Sequence, residues 1–585
     1  MMNDIWNLDR IYQGFDHCAY IQDFEHLQKQ VALLSDFTAQ LSDADPADAL
    51  AKGISLEEEI TQLAMKLITY ASLRQSANTR DTDAGSQMGR LMGVLSAVAG
   101  PQAVFHDWVA KLPDLQTLIE DSPILKEYRF LLNNIVDSNR YLLAGKGEEI
   151  MARMRQSGSS AWSDLQTYLT STVPVTYRGE TTNLSTIRNL AYDPDPQVRK
   201  EAYEAELACY DRIKDSVAFA LNSIKLETIS DCKLRGYESP LARTLKNSFL
   251  KKETLDAMLE AMEEYSPKFW QYLKAKAKAL GHENGLPWYD LFAPMGKVST
   301  KFTAQEARDY LVAQFASFNP EEADMIAKAF DEEWIDFYPR DGKSGGAFCA
   351  GVESLGESRI LTNFDGMFTD VVTLAHELGH AYHNHCIQDH RPLNKDYSMP
   401  VAETASTFNE CVVMASAISK AKDKEEKLAL IESQLQDATQ IICDINSRYR
   451  FETMVFANRE QQFMNADTLC EYMTTAQKQS YGDGLDPNCL HPYMWVCKSH
   501  YYGPTFYNFP YAFGGLFARG LYAQYEKEGA SFVPKYKQLL YTTPIATAEE
   551  TAKVAGIDLT DKNFWRSALQ TIADQIDLFC QLTET

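Results

Sequence analysis

The sequence of 585 residues predicts a mainly α-helical protein. Three observations carry that reading: apolar residues recur at spacings of three and four in most segments, strand-like runs are few and short, and no Gly/Ser-rich or Pro-rich linker, low-complexity tract or internal repeat interrupts the chain. Helical periodicity is plain in Glu57 to Leu73, Lys252 to Tyr265 and Ala304 to Phe318. Gly345, Gly346, Ala347 and Phe348 then read as a short extended segment of little side-chain bulk, and Arg359 to Phe364 is the clearest strand. From Phe368 onward Val371, Leu374, Ala375 and Leu378 fall on one core-facing helical stripe. Pro400 suits the first turn of a further helix, whose apolar run follows it, and Glu425 to Phe456 completes the helical pattern.

Charge and composition narrow the function. The chain carries 56 basic and 81 acidic residues, a net charge of −25, without a basic cluster able to grip phosphates, so no nucleic-acid partner is expected. The opening Met1-Met-Asn-Asp-Ile-Trp6 has neither a positive start nor an apolar core, and no apolar run has membrane-spanning length. A secretory signal and a membrane partner are therefore not expected. The 11 cysteines, an odd number scattered without a Cys-x-x-Cys pair, predict reduced thiols and a cytoplasmic location.

One pentapeptide carries chemistry. His376-Glu-Leu-Gly-His380 lies on the helix just described, where positions four apart differ by about 40° of rotation, so both imidazoles project toward one point and can share a zinc ion. Glu377 stands beside the first histidine, placed to take a proton from a water activated by that ion. Gly379, unfavourable in a helix, fits if a second backbone or a substrate approaches that turn.

A catalytic zinc takes three protein ligands, so a third donor is required. His383 would stack one turn too far along, and His385, Cys386, Asp389 or His390 would need a sharp return. Zinc peptidases that make such a return carry Gly where this chain has His383 and a third His where it has Cys386. Glu403 is the better donor. It lies on the helix opened by Pro400, among Val401, Ala402, Ala405 and Phe408, where a buried carboxylate needs a partner. Glu410 lies seven residues on and on the same face, so one of the two carboxylates can bind the metal while the other, as a hydrogen-bond acceptor, orients a ligand histidine.

Taken together, Gly345-Gly-Ala-Phe-Cys349, Ile360-Leu-Thr-Asn-Phe364, Asp370 to His380 and Val401 to Glu410 closely resemble the oligoendopeptidase F family, zinc peptidases related to thimet oligopeptidase. The opening Trp6-Asn-Leu-Asp-Arg-Ile-Tyr12 also resembles that family. The resemblance implies one zinc ion held by His376, His380 and Glu403, with Glu377 as base. It implies that His500, then Tyr511 and next Tyr507, from the stretch Lys498 to Gly515, stabilise the oxyanion of the tetrahedral intermediate. It further implies that Gly345 to Phe348 pair with the substrate backbone.

The fold it implies is two helical lobes enclosing a deep channel, with a small β-sheet next to the zinc-binding helix. Asp193-Pro-Asp-Pro196 marks the expected boundary between an N-terminal lobe, residues 1–195, and a catalytic region, residues 196–585. The expected activity is endopeptidase cleavage of oligopeptides. Its rivals are a zinc carboxypeptidase on a similar scaffold and a zinc-containing peptide-binding protein without turnover.

Overall fold

A computed structural model describes residues 3–41, 45–297 and 301–584; Met1 and Met2 of the opening segment lie outside them. Helices dominate, joined by a two-stranded hairpin, Pro174–Tyr177 with Glu180–Asn183, and one three-stranded sheet. Among the described residues, no helix is long and apolar enough to cross a membrane, and all eleven cysteines are free thiols.

Packing divides the chain into two compact units, each assembled from three segments. The first comprises Met1–Tyr141, Thr300–Ser416 and Gln524–Gly556; the second comprises Leu142–Ser299, Ala417–Ala523 and Ile557–Thr585. The Asp193 to Pro196 stretch lies inside the second unit, where Pro196 occupies the first turn of the helix Pro196–Tyr210 and Asp195 caps it. Those prolines start a helix there.

The first unit is built on the helix Pro46–Ala77, capped by Asp45, which buries Leu50, Ile54, Leu67 and Tyr70 against Trp6, Tyr12 and Leu27. The predicted helix Ala304–Phe318 forms with those bounds. Thr303 and Glu306 close a reciprocal capping box at its start. In the sheet, Phe348–Val352 is an edge strand, paired antiparallel with the central Glu357–Leu361, which also pairs in parallel with Ile335–Asp336. The predicted extended segment is only partly strand: Gly345 and Gly346 form a bend, with Gly346 at φ +79°, and pairing begins at Phe348. A left-handed residue cannot hold the ladder, and glycine alone reaches that conformation without strain.

In the second unit the run predicted as one helix, Glu425 to Phe456, is Lys424–Thr439 and Ile445–Arg459 joined by a π-helical turn, Gln440–Asp444. The inserted residue of a π-turn shifts the apolar stripe without ending it, which periodicity does not detect. Here it places buried Asp444 in an ion pair with Arg448. A deeply buried pair, Lys225 to Glu452 at 2.7 Å, anchors the same unit.

Candidate active site

The helix Phe368–Ile387 forms as the pattern predicts, with Val371, Leu374, Ala375 and Leu378 all fully buried. Its start is held by Asp370, whose carboxylate accepts from the backbone N–H groups of Asp365 and Met367 at 2.9 and 3.0 Å. It packs on the strands Phe348–Val352 and Glu357–Leu361.

The third donor comes from a second pair of helices. Met399–Ala402 and Thr404–Lys420 are separated by a single non-helical residue, Glu403 itself, at φ −91° and ψ 12°. Two contacts bring this break against the motif helix. Asn409 donates to the carbonyl of Ala375 at 3.1 Å, and Gly379 lies so close that a Cβ there would meet the carbonyl oxygen of Ala405 and the Cα of Ser406 at 2.6 Å. The glycine is thus required by the approach of a second backbone. Gly379→Ala is expected to force the helices apart, lower metal affinity about tenfold or more and destabilise the unit by about 1–3 kcal/mol, read by metal titration and thermal unfolding.

His376, His380 and Glu403 each offer a ligand atom, all within 4.8 Å of one another. Glu403 Oε2 sits 3.3 Å from His376 Nε2 and 3.3 Å from His380 Nε2. Ligands about 2.0–2.1 Å from a shared tetrahedral zinc are separated by about 3.3–3.4 Å, so the spacing fits that ion. The other nitrogen of His376, Nδ1, lies 2.5 Å from Glu410 Oε1, which leaves Nε2 as the donor toward the cluster. Ser406 donates to Glu403 Oε2 at 2.7 Å. Burial opposes charge on His376, but Glu403 and Glu410 overcome it and push the imidazole up to about 10. Burial likewise raises Glu403, yet the two imidazoles hold its carboxyl well below the usual range. Such a group of carboxylates and imidazoles favours a divalent cation.

Glu377 is 5% exposed and accepts no hydrogen bond among the described residues. Burial raises its pKa above the ordinary carboxylate value. The competing histidines are engaged elsewhere: His383 Nε2 bonds Thr543 Oγ1 at 2.8 Å while its ring stacks on Tyr397, His385 meets Glu321, and His390 bonds the Tyr541 carbonyl. Burial drives His383 down to about 3, keeping it neutral. Burial also pushes up the Cys349 thiol, which suits an inert cysteine. Sequence reading missed Ser406, Asn409 and Tyr397. Ser406 alone had a usable signal, three residues beyond Glu403 on a helical pattern.

The second unit holds a separate cluster. His500, in the turn Ser499–Tyr501, places Nε2 3.4 Å from the hydroxyl of Tyr511, and its ring stacks on Tyr507 at 5.6 Å. Tyr501 and Tyr502 are buried in the unit's core, with Tyr502 donating to the Trp495 carbonyl, so they are unsuited to contact substrate. The loop presenting Tyr507 is fixed by Glu452, which accepts from Phe506 N–H at 3.1 Å and from Asn508 Nδ2 at 2.9 Å. Phe506 takes the uncommon φ of +52° there. Burial, with Arg448 and Lys498 adding to it, disfavours the charged form of His500.

A family model described as peptidase family M3 matches residues 189–571, and one described as oligopeptidase F matches residues 112–173. The chain belongs to peptidase family M3. That membership makes it a metalloendopeptidase. Its sequence is 24% identical to oligopeptidase PepF of Bacillus subtilis, covering 98% of this chain and 86% of that one. It is 22% identical to group B oligopeptidase PepB of Streptococcus agalactiae, over 91% and 90%. In fold it matches the crystal structure of oligoendopeptidase-F from Enterococcus faecium, at a TM-score of 0.71 and 18% identity, covering 97% and 99% of the two chains. The mainly helical architecture with small sheets is that of these peptidases.

Proposed function

We propose that this M3 peptidase cleaves internal bonds of oligopeptides at one zinc ion held by His376, His380 and Glu403. The observation that carries the reading is the pair of 3.3 Å separations from one Glu403 oxygen to both imidazoles, a spacing that suits ligands of a single ion. Zinc, when bound, supplies Lewis acidity toward the scissile carbonyl and toward water. Glu377 takes the proton of the attacking water and passes it to the leaving amine, a role supported by its burial and its lack of hydrogen-bond partners. Glu410 fixes the orientation of His376 through Nδ1. His500 and Tyr511 donate to the oxygen of the carbonyl as it gains negative charge, with Tyr507 stacked behind the imidazole.

The edge strand beginning at Phe348 offers unpaired backbone groups to an extended peptide, and Gly345, Gly346 and Ala347 leave the approach unobstructed. Two helical lobes around a channel and a cytoplasmic location complete the proposal. The names of the M3 relatives, oligopeptidases among them, support the substrate class.

Peptides blocked at both ends, digested with and without a chelator and followed by mass spectrometry, test it. Internal cuts that vanish with chelator are expected. Cleavage confined to free C-terminal peptides would instead indicate a carboxypeptidase, and bound zinc without any cleavage a binding protein.

A further inference from the structure

The second unit contains a cavity of about 350 Å³, within the range of small-ligand pockets. Its lining joins Lys498 and Arg188 with Gln436, Gln440, Tyr192 and Trp288. Lys498 stands two residues before His500, and its charge acts on that imidazole.

The charges on this lining are unevenly matched. Glu206 is taken by Arg188, lies 3.2 Å from His491 Nε2 and accepts from Tyr210 at 2.8 Å; Asp444 is taken by Arg448; Arg199 holds Asp290 at 2.7 Å. Asp437 is exposed, where water screens it. Lys498 differs from all of these. It is half-buried, no carboxylate lies at ion-pairing distance from its ammonium among the described residues, and nothing accepts a hydrogen bond from it. Burial and the nearby Arg448 disfavour its charge and outweigh Asp444, which favours it from beyond ion-pairing distance. Arg188 reaches the same lining, with Nη1 bonded to Glu206 and to the Cys497 sulfur at 3.0 Å. A desolvated ammonium that shares a cavity with a second cation is relieved by an anion placed between them.

Resting on the peptidase reading, we propose that this cavity is a substrate subsite that accepts a peptide carboxylate, either the free C-terminus or an Asp or Glu side chain, on Lys498 and Arg188. The net charge of −25 repels anionic peptides at a distance, so any preference for a carboxylate must arise at a local site of this kind. The aromatic walls receive the apolar part of the same residue.

The test uses one peptide in matched forms: free C-terminus against C-terminal amide, and internal Glu against Gln at each position. The enzyme is expected to favour one carboxylate form by roughly tenfold or more in kcat/KM, mainly through KM, and the arm that shows the preference names the source. Lys498→Met should bring the ratio of that pair close to one, and Lys498→Arg should restore it. Labelled versions of the same peptides, bound to chelator-treated protein and read by fluorescence anisotropy, report the subsite without turnover, so loss of hydrolysis and loss of carboxylate recognition are told apart. Equal use of every carboxylate and amide pair by the wild-type enzyme overturns the assignment. So does an undiminished preference in Lys498→Met, or an equal loss on all peptides, which would mark Lys498 as a support for His500 alone.

Discussion

Glu377→Gln is expected to lower hydrolysis of a blocked peptide by about 10²–10⁴-fold, the usual contribution of a general base, while bound zinc stays at about one ion per chain. Glutamine keeps the shape of the side chain and removes its ability to hold a proton. The atoms placed to hold a metal belong to His376, His380 and Glu403, so that group survives the change. Glu377 is buried and no donor among the described residues engages it, so its carboxylate is left for water. The measurement is kcat beside metal analysis of the same preparation. Turnover within about threefold of wild type, with zinc bound, would remove Glu377 from the mechanism.

Glu322→Gln is expected to change how stability responds to pH. Glu322, on the helix Pro320–Asp331, is fully buried, and neither carboxylate oxygen makes a well-formed hydrogen bond. Burial pushes it up to about 8 from an ordinary 4.5, against the opposing amides of Asn409 and Asn319. Between those values the folded chain holds a proton that the unfolded chain has released. Stability from this group is therefore complete below about pH 4.5 and is lost as pH rises through about 8, by about 1.4 kcal/mol per unit and a few kcal/mol in all. Glutamine cannot titrate. The difference in melting temperature between variant and wild type should grow in the variant's favour from about pH 5 to pH 9. A difference that does not vary with pH would show that Glu322 is ionised throughout or exposed to water.

Much of this molecule was legible before any coordinates. The stripe of Val371, Leu374, Ala375 and Leu378 predicted the motif helix because one face of it is core, and burial is what apolar periodicity records. Ala304 to Phe318 was legible from its periodicity alone, and its start is set locally, by Thr303 and Glu306 three residues apart. Periodicity failed at Gln440–Asp444, since a π-turn keeps the apolar face roughly in phase while adding a residue. Small side-chain bulk likewise ran the extended segment too far back, through Gly346, whose positive φ is a backbone choice that size alone does not reveal.

The site divides along the same line. Sequence by itself determined the donor types: two imidazoles one turn apart with a carboxylate between them, and a candidate third ligand at Glu403. Only the tertiary structure set the helix break that turns Glu403 toward both rings, the close approach at Gly379 that excludes a side chain, and the choice of Glu410 to hold His376. It also separated Tyr507 and Tyr511, beside His500, from Tyr501 and Tyr502 in the core, which the sequence presents as equivalent aromatics. The physical reason is range. Ligand identity and helical phase are written within one or two turns of chain, whereas which carboxylate faces which ring depends on packing between segments distant in sequence, and no local pattern encodes that contact.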